Sequence, residues 1–264
     1  LATNNSSFIY YLPHYINHRD QIIGFHKSCL GFYFVEEGMP AYRSNFGKYD
    51  NLAKPSWWMN LLLLFTRVKI PKNITPLITN TNKYIGAIGI NKKSFTKLQN
   101  RKEVEFKYAF NKKHLKTIPS NNCILAVDNV AGIPLLTNTY IECIKQTLTY
   151  ILSIGYGSIY IKYHPDQKFD SEFKSLVKNI CEEKQISYSV LNDDFFIENY
   201  VFHYPKTKVF GLLSATLLYA DMFGAQVHCF SNLLKHQNIY DPMLFIMEDL
   251  REKGILSNRF RFIL

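Results

Sequence analysis

Strand-like runs that break off into polar, chemically capable residues constrain this chain more than any other feature. The clearest is Tyr160-Ile161-Lys162-Tyr163-His164-Pro165. Isoleucine and tyrosine there suit a buried strand, and Pro165 ends it. His164 is left at the strand's C-terminal edge, where open α/β sheets bind ligands. An imidazole in that place titrates near neutral pH and can give a proton to a leaving group, or it can merely cap the loop. Two other junctions share this build. Residues 30–35 (LGFYFV) run into Glu36-Glu37-Gly38, and residues 208–213 run into Ser214-Ala215-Thr216. The first sets two carboxylates before a permissive glycine. Adjacent strand residues point to opposite faces, so only one of the two glutamates can face a given cleft. An ordinary acidic turn is the other reading. The second junction sets hydroxyls at a helix start, where free N–H groups and the helix dipole hold anions. Plain helix capping would also place a serine there.

The remaining pattern supplies the frame. Further strands are expected at residues 8–12, 84–90, 123–127, 186–191 and 226–230, with a loop at 128–132. Helices are expected at 139–154, 171–183 and 241–253, with a short helix or turn at 195–202. In residues 171–183 the apolar stripe is Phe173, Leu176, Val177 and Ile180. Such alternation means an α/β fold with a largely parallel sheet. A polar, basic segment at 91–116 separates two such units, giving domains 1–115 and 116–264. They are read as two Rossmann-like domains facing across a central cleft. The chain opens at Leu1, so the first domain is expected to lack its first residues. A helix opening at Lys54-Pro55-Ser56 carries Trp57 and Trp58 and reads as a core helix or, with its flanking lysines, as a membrane-interface element.

The formal net charge of +10 attracts anionic partners: nucleotides, nucleic acid or an anionic membrane face. The basic residues are scattered, and no helix-turn-helix, zinc-finger or RNP pattern occurs, which argues against nucleic acid. Cys29, Cys123, Cys143, Cys181 and Cys229 lie far apart, as expected of reduced cytosolic thiols. No metal-ligand spacing is present, and His14, His18 and His26 fit no standard site. The longest apolar stretch, residues 57–65, is too short to cross a bilayer.

Taken in order, the three junctions resemble motifs of bacterial sialyltransferases of the lipooligosaccharide sialyltransferase and capsule polysialyltransferase type. Glu36-Glu37-Gly38 is similar to their D/E-D/E-G motif, His164-Pro165 to their HP motif, and Ser214-Ala215-Thr216 to their serine/threonine pair. Glu198, ahead of Val209-Phe210-Gly211, resembles the stretch leading into the serine motif. The chain departs from the pattern at Ala215, which shifts one hydroxyl to Thr216. The resemblance covers residues 36–224. It implies a GT-B fold and an inverting, metal-independent transfer of sialic acid from CMP-sialic acid, without a cofactor, to a hydroxyl of a lipooligosaccharide or capsule glycan. By the same resemblance Glu36 is the general base, with Glu37 as the fallback beside Gly38, and His164 is the general acid. Ser214, Thr216, Pro165 and Glu198 would bind the donor, with Lys162 close by. The loop 128–132, with Asn129 and Gly132, is the expected cytidine or sialic acid contact. The implied partners are a nucleotide sugar and a glycan, with peripheral contact to an anionic membrane at the inner face of a bacterial cytoplasmic membrane. A transferase of the same fold using CMP-Kdo or another nucleotide sugar stays open, as does a basic nucleic-acid- or glycan-binding module.

Overall fold

Short β-branched and aromatic runs form the strands, and each hands over to a polar loop before the next helix. The computed structural model describes residues 6–13, 18–42, 81–104, 118–119, 123–128, 134–167, 170–235 and 246–263. The chain divides into two units, residues 1–107 and 108–264. His14, Trp57, Trp58, Asn129 and Gly132 lie outside the described residues.

The first unit holds β1 (Phe8–Leu12), α1 (His18–Phe25), β2 (Cys29–Val35), β3 (Tyr84–Gly89) and β4 (Arg101–Glu103). The strands form one sheet in the order β1-β2-β3-β4, and every pair is parallel. Strand β4 falls in the segment whose charge reads as polar connector. All three of its residues are exposed. A charged edge strand is how a sheet avoids pairing with another chain, so its composition hides its backbone role.

The second unit holds β5 (Cys123–Val127), α2 (Pro134–Ser153), β6 (Ser158–Tyr163), α3 (Ser171–Glu183) and β7 (Ser187–Val190). It continues with α4 (Ile197–His203), β8 (Lys208–Gly211), α5 (Ala215–Met222), β9 (Gln226–Cys229), α6 (Ser231–Lys235), α7 (Ile246–Glu252) and β10 (Phe260–Phe262). Its six strands run β10-β9-β8-β5-β6-β7, again all parallel. The chain lays down β5, β6 and β7 in one direction, then returns to β8, beside β5, and builds the other way. This is the strand order of a doubly wound Rossmann sheet, with its topological switch point between β5 and β8.

Strand β5 is buried at all five positions, as a central strand covered on both faces must be. Helix α2 starts at Pro134, five residues before the expected start, because proline suits the first helical position. Its Tyr140, Cys143, Ile144, Leu148 and Ile151 pack with Phe173, Val177, Ile180 and Cys181 of α3 over the sheet. Cys181 completes the buried stripe of α3, and Leu176, expected within it, sits at the margin at 36% exposed. Asp170 caps α3 by accepting the Phe173 N–H at 3.0 Å. Among the described residues no helix is long and apolar enough to cross a membrane.

Candidate active site

Each unit gathers its polar groups at the C-terminal ends of its strands. In the first unit the ladder runs on past β2, because the Glu36 N–H donates to the Ile88 carbonyl at 2.9 Å. Gly38, with φ of 82°, then reverses the chain into a 3₁₀ turn at Met39–Tyr42. That turn carries the Tyr42 ring back onto the strand end, where its hydroxyl donates to Glu36 Oε1 at 2.6 Å. From the loop after β3, the Ile90 N–H donates to Oε2 at 2.8 Å. Burial raises the Glu36 carboxyl above the usual range, against the lowering pull of Tyr42, Ile90, Ser94 and Asn91. Gly89 is required here: a Cβ at that position would lie 1.8 Å from Ser94 Oγ and 3.3 Å from Glu36 Oε2. Glu37 is exposed, so the two glutamates part company as strand alternation demands.

In the second unit the switch point is bridged by a single carboxylate. Asp128, directly after β5, accepts the N–H groups of Leu212 at 3.1 Å and Leu213 at 3.2 Å through Oδ2, directly after β8. Its own N–H donates to the Tyr140 hydroxyl at 2.8 Å. Desolvation pushes the Asp128 carboxyl up to about 6, opposed by those two N–H groups and by the charge of His164.

His164 follows β6 and donates its N–H to the Val127 carbonyl at 3.1 Å. The ring is 42% exposed, so a ligand can reach it. Nδ1 accepts the Asp166 N–H at 3.3 Å, which leaves Nε2 to carry the proton of the neutral ring. Asp166 Oδ2 also stands 3.4 Å from Nδ1, ready to pair with the protonated imidazole. Pro165 opens the 3₁₀ turn Pro165–Gln167, whose buried Gln167 accepts the His164 N–H through Oε1 at 3.3 Å.

Ser214 caps α5 by accepting the Thr216 N–H at 3.2 Å. The Thr216 hydroxyl donates to Glu198 Oε1 at 2.6 Å, so its proton is committed. Glu198 itself stands in the first turn of α4. Lys162 turns to the loop after β7, where its ammonium donates to the carbonyls of Asn192 at 2.7 Å and Asp193 at 2.9 Å. Desolvation lowers its pKa, against the charges of Asp193, Asp194 and Glu198. Among the described residues no group of three or more histidines, cysteines, aspartates and glutamates gathers as a metal would require.

The sequence model of the family described as Alpha-2,8-polysialyltransferase (POLYST) matches residues 9–227, well over half of the chain. The chain belongs to the alpha-2,8-polysialyltransferase family. No curated protein sequence matches it. Membership in the polysialyltransferase family makes it a glycosyltransferase of the sialyltransferase kind, moving sialic acid to a glycan. The match spans Glu36 in the first unit and His164, Glu198, Ser214 and Thr216 in the second.

The sequence pattern reached the strand-end residues but missed their partners. Tyr42, Ile90 and Ser94 come to Glu36 from outside the Glu-Glu-Gly motif, by a turn and by a neighbouring strand. Asp128 falls in the loop expected to touch donor, yet its carboxylate turns to backbone N–H groups. An aspartate directly after a fully apolar strand was the available signal.

Proposed function

We propose that this chain is an inverting, metal-independent transferase that moves sialic acid from CMP-sialic acid to a hydroxyl of a cell-surface glycan. In this reading the two units form a GT-B pair that faces a shared substrate cleft. The acceptor hydroxyl loses its proton to Glu36 as its oxygen attacks the anomeric carbon of the donor sugar. The bond from that carbon to the phosphate oxygen breaks, and CMP departs with the electron pair. His164 supplies a proton or a positive charge to the leaving phosphate. When the ring is protonated, Asp166 Oδ2 accepts from Nδ1 and Nε2 stays directed to the phosphate.

The hydrogen bonds narrow the donor contacts. The Thr216 hydroxyl donates its hydrogen bond to Glu198, so Thr216 supports the phosphate through its place in the first turn of α5. Ser214 Oγ accepts a backbone N–H and keeps its own proton to donate. Lys162 serves by holding the loop after β7, and Glu198 by holding Thr216. The net charge of +10 suits an anionic donor and an anionic membrane face, in keeping with work at the inner side of a bacterial cytoplasmic membrane.

The observation that carries this reading is the family match over residues 9–227, a span that includes the three strand ends. The test is donor consumption by the purified protein, followed by mass spectrometry in excess chelator with an α2,8-linked sialic acid oligosaccharide as acceptor. Release of CMP with an acceptor longer by one residue is the expected result. Consumption of CMP-Kdo with CMP-sialic acid left intact would overturn the sugar assignment. No turnover of either donor would overturn the reading as a whole.

A further inference from the structure

We propose that Tyr42 is a positioning residue for Glu36, holding its carboxylate in one plane and in its charged form, so that the functional motif runs from Glu36 to Tyr42. This rests on the reading of Glu36 as general base and extends it to a side chain outside the Glu-Glu-Gly motif.

Tyr42 is only 3% exposed, and a buried phenol needs a hydrogen-bond partner. It finds one in Glu36 Oε1 at 2.6 Å. The turn that delivers it is itself fixed. The Ala41 N–H donates to the Gly38 carbonyl at 3.2 Å, and the Ala41 carbonyl accepts the Phe95 N–H at 2.7 Å. The loop that anchors the turn through Phe95 is the same loop whose Ile90 N–H donates to Oε2. The carboxylate therefore receives Tyr42 on Oε1 and Ile90 on Oε2, from two segments tied to each other. Rotating it would break both bonds.

The same arrangement offsets the burial of Glu36. Among the described residues, the groups that act on this carboxyl are the Tyr42 phenol, the Ser94 hydroxyl and the backbone of Ile90 and Asn91, none of them charged. Tyr42 is the strongest of these donors. Burial disfavours the charged carboxylate, and the Tyr42 hydroxyl opposes that effect. Without the hydroxyl, the carboxyl titrates higher and the acid limb of the rate profile moves up. A tyrosine that only filled space would leave that limb in place and lower the plateau.

The experiment compares wild type, Tyr42→Phe and Glu36→Gln, with 3,5-difluorotyrosine installed at position 42 as a fourth protein. The Glu36 carboxyl is followed by ¹³C NMR with labelled glutamate and assigned by its loss in Glu36→Gln. In Tyr42→Phe its midpoint should rise by about 1–2 pH units, the worth of one hydrogen bond to a charged group. The more acidic difluorotyrosine should move it down without removing an atom. The pH dependence of kcat/KM, with CMP-sialic acid and the α2,8-linked acceptor, should shift in the same directions. An unmoved carboxyl midpoint in both Tyr42 proteins overturns the inference. A midpoint that moves while the rate limb does not overturns Glu36 as the base and leaves the Tyr42 contact standing. Full activity in Glu36→Gln does the same.

Discussion

Replacing Asp128 by asparagine separates the charge at the switch point from its hydrogen bonds. One oxygen, Oδ2, accepts both the Leu212 and Leu213 N–H groups, so an amide carbonyl can keep both. What the variant loses is the buried charge. Desolvation lifts the Asp128 carboxyl from 3.8 to about 6. At about 1.36 kcal/mol per pH unit, that gap is worth about 3 kcal/mol. Part of the side chain reaches the surface, so solvent screening trims it toward about 2 kcal/mol. Because the carboxyl is raised on folding, the folded chain holds a proton that the unfolded chain has released. Its contribution is full below pH 3.8 and gone above about pH 6. Wild type and Asp128→Asn should therefore match in stability near pH 4, and the variant should gain about 2–3 kcal/mol by pH 7. Urea unfolding at pH 4, 5.5 and 7 measures this. Asp128→Ala, which strands two N–H groups, should fall about 2–4 kcal/mol below the asparagine variant. An asparagine variant less stable than wild type at pH 7, or a gap that ignores pH, would refute the reasoning. Higher stability joined to slower donor turnover would mean that the charge is retained for His164, at the expense of the fold.

Three other perturbations follow from the geometry. Gly89→Ala forces a Cβ onto Ser94 and toward Glu36, and should reduce turnover at least about tenfold while CMP binding, by calorimetry, stays near wild type. Ser214→Ala should weaken CMP binding more than Thr216→Val, because only Ser214 keeps a hydroxyl proton for the phosphate; equal losses would contradict that assignment. His228 is 2% exposed, stacks on Phe210 with centroids 4.6 Å apart, and leaves Nε2 buried without a partner. Burial first, then Lys208 and Arg261, lowers its pKa from 6.5 to about 4. The unfolded chain then takes up the proton first, so stability from this group is lost as pH falls from about 6.5 toward 4, by about 3 kcal/mol. His228→Phe should abolish that loss when unfolding is compared with wild type at each pH, a difference from which the opposite titration of Asp128 cancels.

Strands that are dense apolar runs with a sharp polar stop could be read from sequence. Cys123–Val127 and Tyr84–Gly89 are of this kind. Two of the edge strands could not, since they carry what a solvated edge needs. Arg101–Glu103 has no apolar residue, and Phe260–Phe262 breaks its two aromatics with an exposed arginine. The helical stripe of α3 was legible apart from Leu176, which sits at its margin, and Cys181, which is buried in its place. The site divides in the same way. Strand alternation said that one glutamate of the pair must turn inward, and it is Glu36 that does so. Which groups meet it depends on a turn six residues on and on a neighbouring strand, and local pattern carries neither. The hydroxyls of Ser214 and Thr216 look alike in sequence, and only Glu198, 18 residues away, sets them apart.

The central proposal is that Glu36 acts as base and His164 as acid in the transfer. The most direct measurement is the rate of CMP release from CMP-sialic acid by wild type, Glu36→Gln and His164→Ala, with the same acceptor and with CMP affinity measured for each. Each variant should be slower by about a hundredfold or more, and Glu36→Gln should keep wild-type affinity for CMP. Either variant turning over within a few-fold of wild type would contradict the account.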